Sequence, residues 1–195
     1  MLEETQDEIP QLEEAFVGYF TDHHRFRLAK MLARIDAMDA DISEVETQIE
    51  AQIAPFADAV ARLDEIPGVG ATAAAVIIAE VGVDMTHFPT PAHLSSWSRF
   101  SPGAKESARR ASGSTGHGDR YLARVLGQAA DGTSKTNTLL GERYRPIARR
   151  RGKKKAVVAV GGSILIIVWY LLQEDAAHFN DLGPGYYDSR INLET

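Results

Sequence analysis

Four serines, Ser101, Ser107, Ser112 and Ser114, fall in one polar stretch from Ser101 to Gly118, among the cations Lys105, Arg109 and Arg110. A serine hydroxyl is a weak nucleophile at neutral pH and needs a base, a metal or surrounding positive charge. No histidine–aspartate pair stands at a triad spacing. The flanking cations suit a scissile phosphate and the charge that develops on it, with a magnesium site from elsewhere as the route to activation. On residue types alone the four serines compete on equal terms. The stretch has no hydrophobic periodicity, and a loop of this length within a compact domain is typically functional or disordered.

A second candidate is the turn Pro67-Gly68-Val69-Gly70, set between two helical segments in the manner of a helix-hairpin-helix element. Gly68 and Gly70 would let the backbone approach a phosphate, and the following helix N-terminus would supply N–H donors and a favourable dipole. A plain helical hairpin packed in the core fits the same residues. The chain has no cysteine, which excludes disulfides and thiolate metal sites. Its six histidines, His23, His24, His87, His93, His117 and His178, form no zinc-type spacing. His23-His24 suits the cap or flank of a helix, and His117 lies in the loop beside the phosphate candidates.

Charge is distributed unevenly. Residues 1–102 hold 6 Lys/Arg against 18 Asp/Glu, residues 103–155 hold 14 against 4, and residues 156–195 hold 1 against 5. A net −12, +10 and −4 in succession is what a chain shows when one segment faces a polyanion. The basic segment supplies Arg120, Arg124, Arg149, Arg150, Arg151, Lys153, Lys154 and Lys155 as phosphate-gripping candidates, beside Lys105, Arg109 and Arg110.

The elements that must carry these residues read as helices. Leu28, Ile35, Ile42, Ile49 and Phe56 recur every seven residues, with Met31, Met38, Val45 and Gln52 three residues behind the first four. That is a coiled-coil seam of four heptads, ended or kinked by Pro55. A long amphipathic helix packed on its own domain is the other reading of the pattern. A short helix ending at Ile66, an Ala-rich helix stopped by Gly82, and helices near Ala92–Arg99, Arg120–Ala130 and Thr138–Arg151 follow. Trp97 and Phe100 are expected in the core. The 17 uncharged residues Ala156–Leu172 stand behind a basic cluster. They are at the lower limit of a membrane span and contain Gly161, Gly162 and Ser163, so a buried core helix is the expectation and no membrane partner is implied. The first residues lack a signal peptide's basic and apolar regions, which points to the cytoplasm.

Five consecutive segments carry a resemblance: IPGVGATAAAVIIAEVG (66–82), FPTPAHLSSWSRFSPGAKES (88–107), GSTGHGDRYLARVLGQAA (113–130), LGERYRPIARRRGKKKAVVAVGGSILIIVWYLL (140–172) and DLGPGYYDSRI (181–191). Together they resemble the serine-bearing C-terminal domain of insertion-sequence transposases with an N-terminal DEDD domain, the family that includes the pilin-gene invertase Piv. The resemblance implies a two-part active site, in which four acidic residues of an RNase-H-like domain bind magnesium and the C-terminal domain brings a serine to DNA phosphodiesters. It also implies oligomers joined through coiled coils and a structured guide RNA. The family's Pro-x-x-x-x-Ser pattern reads Pro102-Gly-Ala-Lys-Glu-Ser107 here, which carries the nucleophile to Ser107. The chain departs from the family in Ala108-Arg109-Arg110-Ala111, where a glycine commonly adjoins the serine.

The expectation is an all-α protein. An acidic coiled-coil arm spans residues 1–60, and a compact domain of about six helices with a helix-hairpin-helix-like element spans residues 61–195. Glu3, Glu4, Asp7, Glu8, Glu13 and Glu14 have no apolar strands to fix them, so they are not the DEDD quartet. No cofactor is expected in this chain, magnesium belonging to the missing DEDD domain, and the chain alone should not cleave DNA. DNA, a guide RNA, a second copy through the coil and a DEDD-domain partner are the expected partners, in a nucleoid-associated cytoplasmic setting. The alternative is a non-catalytic nucleic-acid-binding and dimerisation module.

Overall fold

The computed structural model describes residues 9–18, 20–100 and 118–186. Among them there is no strand, and the protein is all-α. The chain divides into two compact units that part between Ala54 and Pro55. Pro55 has no N–H to give an α-helix, and the chain passes through a 3-10 turn, Ala54–Phe56, at that point.

In the first unit α1 spans Ile9–Phe16 and α2 spans Asp22–Ile53. At about 1.5 Å per residue the 32 residues of α2 extend for about 48 Å. Its start is fixed by Thr21, whose N–H donates to His24 Nδ1 at 3.2 Å and whose hydroxyl lies 2.8 Å from the same atom. None of its residues is buried. The seam residues Leu28, Met31, Ile35, Met38, Ile42, Val45 and Ile49 all stand about half exposed.

Among the described residues the second unit holds six α-helices: α3 (Ala57–Asp64), α4 (Ala71–Val81), α5 (Pro91–Trp97), α6 (Arg120–Thr133), α7 (Leu139–Arg151) and α8 (Lys153–Gln173). The apolar run expected as a core helix is α8, extended by one turn to include Lys153–Lys155. By length and composition it could cross a membrane. Here it is packed against α3, α5, α6 and α7, and Ala156, Val160, Ile164, Leu165, Val168, Leu171 and Leu172 are buried along it. Each enclosed aliphatic side chain contributes about 1.5–3 kcal/mol. Leu63, Ile66, Ile77, Leu94, Leu122 and Leu126 supply the facing surfaces, each with 1 % or less of its area exposed.

Trp97 departs from its expected place in the core. It is 48 % exposed. On a helix of seven residues only one narrow stripe reaches the interior, and Leu94 and Ser98 occupy it. Trp97 lies outside that stripe, its ring 5.4 Å from that of Phe88. Trp169 is buried instead and donates its indole N–H to the Phe88 carbonyl at 2.8 Å.

After α8 the chain is pinned back across the domain. The buried guanidinium of Arg62 donates to the Glu174 carbonyl at 2.7 Å and lies 3.5 Å from Asp175. Glu65 accepts from the Phe179 N–H at 2.7 Å and stands 2.7 Å from His178 Nδ1. Asp181 accepts from the first amide of α7, Leu139 N–H, at 3.0 Å, which supplies one of the donors a helix start leaves open. The Glu65 carboxyl is held below its ordinary pKa by the His178 side chain, then by the Phe179 amide. A group with a lowered folded pKa stabilises the fold above its unfolded value and loses that contribution as pH falls through the folded value. Thermal unfolding from neutral pH to pH ~3 should therefore show Glu65→Gln less stable than the parent at neutral pH. The gap between the two should close in acid.

Candidate nucleic-acid interface

The turn between α3 and α4 is built by its glycines and its apolar residues together. Ile66 and Val69 are buried and hold the turn down. Gly68 has φ +87, a conformation glycine adopts without steric cost. A Cβ there would collide with the Ala129 carbonyl oxygen and lie 3.0 Å from Thr133 Cγ2. The close backbone approach that Gly68 permits is therefore to α6. Gly70 is the residue before α4, with φ −95 and ψ 173, and no side chain caps the amides that follow it. Gly70, Ala71 and Thr72 are exposed.

The ends of segment 101–117 meet at one place. On the outgoing side, the Phe100 ring sits over Gly161 of α8, where an added Cβ would fall 2.5 Å from Phe100 Cε1. Arg99 before it has φ +62, a left-handed conformation that few residues other than glycine adopt. On the returning side, a Cβ on Gly118 would fall 2.5 Å from the Ser98 carbonyl oxygen. Asp119 then starts α6, its carboxylate accepting from Leu122 N–H at 2.7 Å as an N-cap. Glu80 of α4 faces Asp119, and partial burial, then the Asp119 charge, raise the Glu80 pKa above its ordinary value. Lys105, Ser107, Arg109 and Arg110, with Ser101, Ser112, Ser114 and His117, lie outside the described residues.

The remaining basic candidates fall into two exposed groups. Arg120 and Arg124 stand on the first turns of α6. Arg149, Arg150 and Arg151 end α7 and Lys153, Lys154 and Lys155 begin α8, on either side of Gly152 with φ +88. None of these eight pairs with a carboxylate among the described residues, so their charge is open to solvent. The helices that bear them pack on one another. The last turn of α7 carries three cations where the helix dipole is negative, a placement that stabilises them.

Periodicity alone did not single out Tyr121. It is 53 % exposed, and the Arg120 guanidinium lies 4.8 Å from its ring centroid. The only signal in the sequence is an Arg-Tyr pair at a helix start. The acids Glu65 and Glu80 were also missed, because each finds its partner far along the chain. No group of three or more His, Asp or Glu side chains gathers as a metal site among the described residues.

Residues 60–145 match the family described as Transposase IS116/IS110/IS902 family. The match runs from α3 through most of α7 and takes in the turn at Gly68 and the segment 101–117. It covers less than half of the chain and supports a role in transposition. No curated protein matches the chain.

Replacing Gly68 by alanine should destabilise the second unit by about 2–4 kcal/mol, through the left-handed φ and the contact with α6 together. A urea titration followed by circular dichroism reads this directly. Gly70→Ala, in extended backbone with open space around it, should cost well under half as much.

Proposed function

We propose that this chain is the DNA-recombination part of an insertion-sequence transposase. It holds DNA on the basic faces of α6, α7 and α8, and it offers Ser107 to a phosphodiester. The observation that carries this reading is the overlap of the transposase match at residues 60–145 with the segment that concentrates the positive charge. Cations that meet no carboxylate are the ones that release counterions from a nucleic acid. The resemblance of Pro102-Gly-Ala-Lys-Glu-Ser107 to the family's pattern is what selects Ser107 among the loop serines.

In the proposed reaction the Ser107 hydroxyl gives up its proton and its oxygen bonds to phosphorus. A deoxyribose oxygen leaves and takes up a proton, so a phosphoserine ester replaces one phosphodiester. The cations Lys105, Arg109 and Arg110 offset the charge that develops on the phosphoryl oxygens. The described residues do not fit a resident magnesium ion. Glu80 and Asp119 are only two carboxylates, and Asp119 is engaged with the start of α6. Magnesium and its acidic ligands are assigned to a DEDD domain, elsewhere in the protein or on a partner. A second copy, joined along the exposed seam of α2, and a structured guide RNA complete the proposed assembly, which acts where the DNA is, in the cytoplasm at the nucleoid.

A specific observation also favours a binding and dimerisation module without chemistry. The amides at the start of α4 are uncapped and exposed beside Gly70, the arrangement through which a helix-hairpin-helix element holds a phosphate. The two readings part at Ser107.

Covalent capture decides between them. The chain is incubated with element-end DNA, magnesium and a separately expressed DEDD domain, then denatured. A protein–DNA adduct in the parent and its loss in Ser107→Ala, with DNA affinity unchanged, is the expected result. An adduct absent under every condition would leave the binding module. In the same material, changing Arg149–Arg151 and Lys153–Lys155 to glutamine should flatten the dependence of log affinity on log salt. Six lost phosphate contacts correspond to a slope change of as much as about 5.

A further inference from the structure

We propose that the exposed face at the start of α6, formed by Arg120, Tyr121 and Arg124, is a stacking site for an unpaired nucleobase. The protein then takes single-stranded nucleic acid at this face. The proposal rests on the reading that the basic helices bind nucleic acid, and it deepens that reading by naming the form of the strand.

The argument starts from a tyrosine that is not buried. Tyr121 presents more than half of its area to solvent, although the neighbouring Leu122 is fully enclosed. The ring is nevertheless fixed. The Arg120 guanidinium lies over it at 4.8 Å from the centroid and donates from Nη2 to the phenol oxygen at 2.9 Å. This contact removes rotamer freedom from both side chains before any ligand arrives, and so lowers what a ligand must order.

A guanidinium plane and a phenol ring set together give two flat surfaces, and every base has a π-face that can add to either. Arg124 follows Tyr121 by three residues on the same helix face, within reach of the phosphate that accompanies a stacked base. Arg120 and Arg124 meet no carboxylate among the described residues. Asp119, the acid at the start of α6, is turned to the Leu122 amide as the N-cap.

A duplex cannot use such a surface without loss, because its bases are stacked on one another and offer only their edges. Phosphate contacts alone would be met equally well by Arg124 and the six cations at the α7–α8 junction, with no need for an exposed aromatic ring. The combination of a positively charged face with a held, exposed aromatic is the one that suits single strands.

The test measures affinity of the full chain by fluorescence anisotropy for three probes: an oligothymidylate of about 16 nucleotides, an oligouridylate of equal length, and a duplex of mixed sequence. Tyr121→Ala should weaken single-strand binding by about 5- to 100-fold while duplex affinity stays within about 2-fold and the thermal unfolding curve is unchanged. Tyr121→Phe, which keeps the ring, should retain most of the single-strand affinity. Tighter binding of oligothymidylate than oligouridylate assigns the strand to DNA, and the reverse order assigns it to RNA. Equal loss on single strand and duplex, or no loss on either, overturns the stacking site and leaves the basic surface standing. A parent chain that binds no probe overturns the nucleic-acid reading itself.

Discussion

A helix that is apolar on nearly every side has to be surrounded, and the second unit is the arrangement that surrounds α8. Its charged residues stand at one end, Lys153–Lys155, where they reach solvent. Four helices pack on its buried face. The covering is tight enough to use the absence of a side chain as a feature, since Phe100 fits over Gly161 where no other residue would leave room. Because Phe100 leads into segment 101–117 and Gly118 closes on Ser98, the residues on either side of that segment are placed by the packing of α8 and α5.

Electrostatics follow a division of labour along the chain. The arm, α2, carries acids and a half-exposed apolar seam, while Arg120, Arg124, Arg149–Arg151 and Lys153–Lys155 are cations that pair with no carboxylate among the described residues. Like charges crowded at the α7–α8 junction repel, and the fold accepts this because the negative end of the α7 dipole lies beneath three of them. Charge left uncompensated at a stability cost is a common mark of a surface kept for a polyanion. Where a carboxylate does appear near the candidate face, at Asp119, it is occupied by a backbone amide.

Much of the fold could be read from local pattern. The seven-residue period located α2, Pro55 its end, Gly82 the end of α4, and the uncharged run α8, because these signals act through backbone geometry within a few residues. What stayed hidden is what depends on distant partners. Trp97 looked like a core residue by type, yet the narrow buried stripe of α5 is taken by Leu94 and Ser98. That Gly68 also stands against the backbone of α6 could not be read from the turn sequence. The clasp of Glu65 on His178 and Phe179 spans more than a hundred residues, beyond any periodicity. For the candidate site, the exposed basic residues were legible from charge alone. Tyr121 was not, since an aromatic at a helix start reads as core until its exposure is known.

The late position of α8 in the chain has a consequence for how the protein is made. Arg62 pairs with a residue 112 positions downstream, and the helix that completes the core follows α3 to α7 in the chain. A ribosome releases α3 to α7 before the helix that packs on α3, α5, α6 and α7 exists. Until α8 emerges, the apolar faces it covers stay open to solvent, and nascent chains of this kind are open to aggregation. Long-range closure of this sort also slows folding. The domain therefore closes only once α8 has been made, and the cations at the α7–α8 junction come into register with the rest of the fold only then.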